Sequence, residues 1–198
     1  MSDVAGLILA SGMSRRCGDT NKLLAPIEGV PLVRRVTEAF AGAGLHAVII
    51  VVGHEAKAVR AALAGLPVEF VTNPDYDAGQ SRALVRGVDA LPPQARGALI
   101  GVGDQPYLSA AGLRLLVERF RTDGDKIIVP RYDGRRGNPV LFAARHFPEL
   151  LRVRGDQGGR AVLAAHPGDV IWVDMADARP GLDIDTLEDY QSVLQGME

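Results

Sequence analysis

Three segments of the chain concentrate the residue types that handle a charged phosphate ester. The first, LASGMSRRCGDTNK from Leu9 to Lys22, gathers glycines at 12 and 18, the Ser14 hydroxyl and three cations, Arg15, Arg16 and Lys22. Exposed backbone amides beside mobile cations neutralise a polyphosphate at a helix start. The spacing fits neither G-x-G-x-x-G nor G-x-x-x-x-G-K-[ST], which excludes a dinucleotide fingerprint and a P-loop. Taken alone, the loop reads equally as a solvated glycine-rich turn. The second segment, GVGDQP, holds Asp104 between glycine and a proline turn. A carboxylate there can bind a hard cation, because Mg²⁺ needs only one or two protein acids when phosphate oxygens complete its shell. A turn aspartate is the competing reading. The third, LDIDTLEDY from Leu182, spaces Asp183 and Asp185 two apart. On extended backbone such residues point to the same side, although Asp185 or Thr186 also suits a helix cap.

These loops need a scaffold, and the hydrophobic pattern predicts one. Short apolar runs rich in Val and Ile occur at Val4–Ala10, Ala47–Val52, Val68–Val71, Ala98–Val102, Lys126–Val129 and Val170–Val173. Continuous runs of this length mark strands buried on both faces of a parallel sheet. Between and after them, helical periodicity covers Pro31–Ala43, Ala56–Ala64, Ser81–Leu91, Ala110–Phe120 and Leu187–Leu194. Alternation of the two predicts a doubly wound α/β fold with a mostly parallel sheet, residues 1–198 forming a single domain. In such sheets ligands bind beyond the carboxyl ends of the strands, where the glycine-rich loop and Asp104 fall. After Pro130 the basic, turn-rich RYDGRRGNPVLF leads to a short strand and a helix around Ala143–Leu151. It reads as a small substrate-binding insertion on the same core.

Composition removes other classes. The 198 residues carry 22 Lys and Arg against 24 Asp and Glu, a net charge of −2, so no general field draws the protein to nucleic acid or to an anionic membrane. The single cysteine, Cys17, excludes a disulfide framework and a cysteine-rich metal site, and a cytoplasmic location is expected. The N-terminus, MSDVAGLILASG, has no basic flank and reads as a strand rather than a secretory signal. The four histidines, His46, His54, His146 and His166, show no metal-ligand spacing and are expected at the surface or at caps. Trp172 is expected in the core of a strand.

Taken in order, LASGMSRRCGDTNKLL, GDQP, RRGNPVLF, RGDQGGR and LDIDTLEDY span nearly the whole chain and resemble the MobA-like nucleotidyltransferases. The loop of that family reads L-A-[AG]-G-x-S-x-R-M-G-x-x-K, with Gly12, Ser14, Arg16, Gly18 and Lys22 at its fixed positions. GDQP, RGNPVLF and GDQGGR are most like the molybdenum cofactor cytidylyltransferase subgroup. The sequence departs from the pattern at Ser11, at Cys17 in the usual place of methionine, in an extra residue before Lys22, and at Asn138, where relatives that modify the molybdenum cofactor often carry histidine.

The resemblance implies Mg²⁺-dependent transfer of a nucleotidyl group from an NTP, CTP in this subgroup, to a phosphorylated acceptor such as molybdopterin, with release of pyrophosphate. It implies Asp104, Asp185 and Asp183 as metal ligands, and Arg16 and Lys22 as the cations that offset transition-state charge. The nucleotide would contact Leu9, Ala10, Ser11, Gly12, Ser14 and Gly18, with Asn73, Gly79 and Ser81 near the base. Asn73–Ser81 reads equally well as a plain strand-to-helix connection. The acceptor rim would comprise Gln105, Arg135, Arg136, Asn138, Asp156 and Arg160. A molybdoenzyme would be the partner receiving the product. The alternatives are another phosphorylated acceptor, use of GTP, or a nucleotide-binding maturation factor without turnover.

Overall fold

The computed structural model describes residues 3–13, 21–155 and 158–195. Strand β1 (Val4–Ala10) is apolar and buried along nearly its whole length, as a central strand covered on both faces must be. It pairs in parallel with β4 (Val48–Val52) on one side and with β6 (Gly97–Val102) on the other. Between them in the chain, β2 (Pro26–Ile27) and β3 (Val30–Pro31) form a small hairpin, and β5 (Glu69–Thr72) extends the sheet beyond β4 in parallel. On the other flank lie β7 (Ile127–Tyr132), β8 (Arg135–Arg136), β9 (Val140–Ala143) and β10 (Val170–Asp174). The sheet order is β10-β7-β9-β6-β1-β4-β5, with β8 pairing β7.

The predicted doubly wound α/β fold is the observed one, with one added feature. The short strand after the basic loop, β9, sits inside the sheet between β6 and β7 and runs antiparallel to both. The chain thus leaves β7, turns at the cleft end through Arg135–Asn138 and returns into the core, which fixes a basic loop at the ligand-binding end.

Alternate side chains of the central strands enter two cores. Val4, Ile8, Ile50 and Val52 pack with α1 (Leu32–Ala41), α2 (Ala56–Ala62) and α4 (Ala110–Asp123) through Val33, Phe40, Val59, Leu113 and Phe120. Leu7, Ile49, Val51 and Ile100 pack on the opposite side with α3 (Gln80–Asp89), α5 (Phe147–Leu150) and α6 (Arg160–Ala165) through Leu84, Leu150 and Val162. Close approach of α3 to the sheet depends on Gly87, where a Cβ would overlap the Leu7 side chain. The last helix, α7 (Leu187–Gln195), docks Val193 beside Ile27, Leu32 and Ile184. Trp172 departs from expectation: it is 45% exposed because β10 is an edge strand, and its ring lies 6.0 Å from the Arg131 guanidinium.

Candidate active site

The sheet reverses its winding at β1, since the chain moves first to β4 and β5 and then crosses to β6. A crevice opens at the carboxyl ends of β1 and β6, as this topology requires. It is an open cleft of about 850 Å³. Leu9, Ser11, Gly12, Lys22, Gly79, Asp104, Arg136, Asn138, Arg160, Asp183 and Asp185 all line it, so residues from six separate segments meet in one cleft.

At its centre the Lys22 ammonium lies 2.6 Å from Asp104 Oδ2 and 3.1 Å from Asp185 Oδ1. Local sequence explains each position. Asn21 caps the short 3₁₀ turn Lys22–Leu24 by accepting a hydrogen bond from the Leu23 amide at 3.1 Å, while Leu23 is buried, so Lys22 is directed at the cleft. Asp104 follows β6 by two residues, and its carbonyl accepts a hydrogen bond from the Ile184 amide at 3.0 Å. That bond, with Ile184 buried, joins the strand end to the Asp183–Asp185 segment. Both acids line the cleft, on either side of the buried Ile184. The capping role falls to Thr186 and Asp189 instead. The Thr186 hydroxyl accepts from the Asp189 amide, and the Asp189 carboxylate accepts from the amides of Asp185 and Thr186, a reciprocal box that leaves the Asp185 side chain to face Lys22.

The electrostatics follow from this crowding. Burial alone lowers the Lys22 pKa, but Asp104 and Asp185 outweigh it and hold the amine charged, above its ordinary value. Asp183 moves the other way. Although the residue is solvent-accessible as a whole, partial burial of its carboxyl and then the Asp104 charge push it up from 3.8 to about 6, against the Gln105 hydrogen bond and Lys22. Asp104 Oδ1 is buried and has no hydrogen-bond partner among the described residues. An orphaned carboxylate oxygen beside two further acids fits a hard divalent cation, which Asp104, Asp183 and Asp185 could hold with phosphate oxygens completing the shell.

At the far wall, Arg136 and Arg160 face the same cleft. Burial and then the neighbouring Arg160 charge lower the Arg136 pKa. Arg160 is the first residue of α6, the end of a helix that disfavours a cation. Among the described residues neither guanidinium pairs with a carboxylate, so the two would be relieved by an anion. Val140, Phe142, Leu84 and Leu163 provide an apolar wall to this cleft.

Other expected residues lie elsewhere. Ala10 points into the α1 side of the core. Asn73 is buried, its side-chain oxygen accepting from the Asp75 amide, and does not line the cleft. Ser81 is buried in the first turn of α3, its amide donating to the Gly155 carbonyl. Gln105 is buried behind the acids, where it donates to the Pro180 carbonyl at 3.4 Å and supports Asp183. Arg135 is exposed on β8, outside the cleft. Ser14, Arg16, Cys17, Gly18 and Asp156 lie outside the described residues. The cap Asn21 and the wall residues Phe142 and Leu163 are not among the residues expected from the sequence; an Asn directly before K-L-L is the signal for the first. His146 is also not at the surface but 2% exposed, beside Glu149 and His166.

An open α/β sheet with acids, a half-buried lysine and two neighbouring arginines converging at its switch point suits a nucleotide-transfer class of site. The chain belongs to the MobA-like NTP transferase domain family, which it matches over residues 6–170. It is 33% identical, over 96% of both chains, to a protein named nicotine blue oxidoreductase from Paenarthrobacter nicotinovorans. It is 32% identical to a probable molybdenum cofactor guanylyltransferase from Natronomonas pharaonis, over 66% of this chain and 63% of that one. The crystal structure of Rv0371c from Mycobacterium tuberculosis H37Rv superposes with a TM-score of 0.84 at 30% identity, covering 98% of each chain. A second structure of Rv0371c is a complex with manganese and gives a TM-score of 0.80 over 97% of this chain. Among the described residues no helix is long and apolar enough to cross a membrane.

Proposed function

We propose that the protein is a Mg²⁺-dependent nucleotidyltransferase that moves a nucleotidyl group from CTP to a phosphorylated acceptor of the molybdopterin type and releases pyrophosphate. The observation that carries this reading is the cluster Asp104, Asp183, Asp185 and Lys22 at the sheet switch point, facing the Arg136–Arg160 pair across one cleft. A phosphate oxygen of the acceptor attacks the α-phosphorus; the new P–O bond forms as the bond to the β-phosphate oxygen breaks. The chemistry needs orientation and charge compensation rather than a protein nucleophile. A bound Mg²⁺, held by Asp104 with Asp185 and Asp183, would supply charge neutralisation of the phosphates. Lys22 presents a permanent positive charge to the transferring phosphoryl group. Arg136 and Arg160 grip the acceptor's anionic group, a task for which the planar guanidinium is suited. Ser11, Gly12 and Gly79 contribute backbone beside the nucleotide. Delivery of the product to a molybdoenzyme and work in the cytoplasm complete the proposal.

The choice of CTP rests on the likeness of GDQP, RGNPVLF and GDQGGR to cytidylyltransferases. The guanylyltransferase name of one relative makes GTP the competing nucleotide. A second reading has its own support: the relative aligned over 96% of both chains is named an oxidoreductase. The apolar wall of Phe142, Val140 and Leu163 would also accept a flat organic dye. One panel separates the readings. Pyrophosphate release is measured with each NTP against phosphorylated acceptors, and in parallel the oxidation of a nicotinamide hydride donor is followed with a quinoid dye. Acceptor-dependent pyrophosphate supports transfer; dye-dependent hydride consumption without it supports the second reading.

A further inference from the structure

We propose that His146, Glu149 and His166 form a binding site for a divalent transition metal of the zinc type, at the end of the sheet opposite the cleft. The location follows from topology. His146 comes three residues after the end of β9, whose last residue, Ala143, pairs with Gly97 at the start of β6; the cleft lies beyond the other end of β6.

Two helical turns bring four donors together. His146 and Glu149 stand three apart in one, His166 and Asp169 three apart in the next, a spacing that places both members on one helical face. The ligand atoms of His146, Glu149 and His166 all lie within 4.8 Å of one another. His166 Nε2 is already 2.8 Å from Glu149 Oε2, and the two imidazole centroids are 4.8 Å apart. With metal–ligand bonds near 2.0–2.2 Å, atoms on one ion are at most about 4 Å apart, so closure requires a shift of about 1 Å. Glu149 and His166 are both partly exposed and can supply it.

The charges select which groups ligate. Asp169 is matched by Lys126 at 3.2 Å and Arg145 at 2.7 Å, so it remains an outer partner, 4.0 Å from His166 Nδ1. Glu149 and two imidazoles are left, a donor set of charge −1 that suits Zn²⁺ and its neighbours better than Mg²⁺. Binding through His166 Nε2 moves the ring proton to Nδ1, toward Asp169, so no proton need leave the protein. Arg145 Nε, 3.3 Å from His146 Nε2, must swing away, and its pairing with Asp169 gives it a place to remain.

The test uses the full chain with excess Mg²⁺ to saturate the cleft acids. Zn²⁺ is titrated by calorimetry, and Co²⁺ is followed by its visible spectrum. The expected result is one equivalent of Zn²⁺ in the wild type and in Asp104→Asn, with binding weakened at least about tenfold in Glu149→Gln and in His166→Gln. Co²⁺ should show the intense visible band of a low-coordinate nitrogen-containing site in the first two proteins only. Circular dichroism verifies folding, and the two decisive variants alter partly exposed residues. Absence of Zn²⁺ binding in the wild type overturns the proposal, as does Zn²⁺ binding that survives His166→Gln or disappears with Asp104→Asn. Failure of nucleotidyl transfer would leave this result untouched, because the readout is metal binding at the far end of the sheet.

Discussion

Replacing Lys22 by methionine keeps the aliphatic stem and deletes the ammonium that sits between Asp104 and Asp185. The side chains of Lys22 and Asp104 are 14% and 16% exposed, so solvent replaces the lost charge poorly. Opposite charges about 3 Å apart attract by about 5 kcal/mol at an effective dielectric constant near 20. Part of that is offset by the desolvation the lysine no longer suffers. Breaking a largely buried pair from one side leaves a net loss of about 3 kcal/mol. For a chain of this size that corresponds to a fall of about 6–12 °C in Tm. Thermal unfolding should be measured at neutral pH with and without Mg²⁺, together with pyrophosphate release. The expected outcome is a lower Tm in metal-free buffer that Mg²⁺ raises more in the variant than in the wild type, because the cation relieves the same carboxylates. Turnover should fall by about a hundredfold or more, the usual effect of losing one oriented electrostatic partner. An unchanged or higher Tm with near-normal turnover would refute the reasoning, since Lys22 would then be an ordinary surface cation. Lys57→Ala, on the exposed side of α2, is the control and should alter neither.

Asp104→Ala should abolish transfer and Mg²⁺-dependent nucleotide binding while circular dichroism stays native; turnover in the folded variant would remove Asp104 from the metal site. Arg136→Ala combined with Arg160→Ala should raise KM for the acceptor at least about tenfold and leave NTP binding nearly unchanged, as expected when one anion subsite is lost; weakened NTP binding would instead place the pair on the triphosphate. Asp183 holds its proton to about pH 6 when folded and to about 3.8 otherwise, so it contributes a loss of stability as pH rises across that interval. Solvent access reduces the size of this loss. Asp183→Asn should flatten the corresponding part of the Tm–pH profile of the metal-free protein, and identical profiles would show that Asp183 titrates normally.

The strands and long helices were legible because their burial is nearly continuous or strictly periodic, as in Val48–Val52 and α1. The placement of β9 was not, because Val140–Ala143 carries no signal of antiparallel pairing with β6; that depends on the chain reversing through Arg135–Asn138. Asp104 is readable from its place at a strand end, Lys22 from the glycine-rich loop it closes, and Asp183 and Asp185 from their spacing two apart before the last helix. Pairing of Lys22 with two acids 82 and 163 residues away was a tertiary result. The family resemblance places Asn73 and Ser81 near the base, while the residues alone read equally well as a plain strand-to-helix connection. Here the backbone of the strand-to-helix connection turns them inward, where Asn73 serves a local turn and Ser81 packs beneath Gly155. Residue type alone places Trp172 in the core of a strand, and only the sheet order reveals that β10 is an edge. The His146–Glu149–His166 group was hidden because no linear motif joins its two turns.

The most direct test of the account follows the α-phosphate itself. The protein is incubated with Mg²⁺, CTP labelled at the α-phosphorus and a molybdopterin-type phosphorylated acceptor, and the products are separated. Label is expected to move from CTP into the acceptor in a one-to-one ratio with the pyrophosphate released, and the same reaction with GTP to be much slower. If the label stays in the nucleotide with every NTP and acceptor while the protein consumes a hydride donor in the presence of a quinoid dye, the nucleotidyltransferase account is wrong.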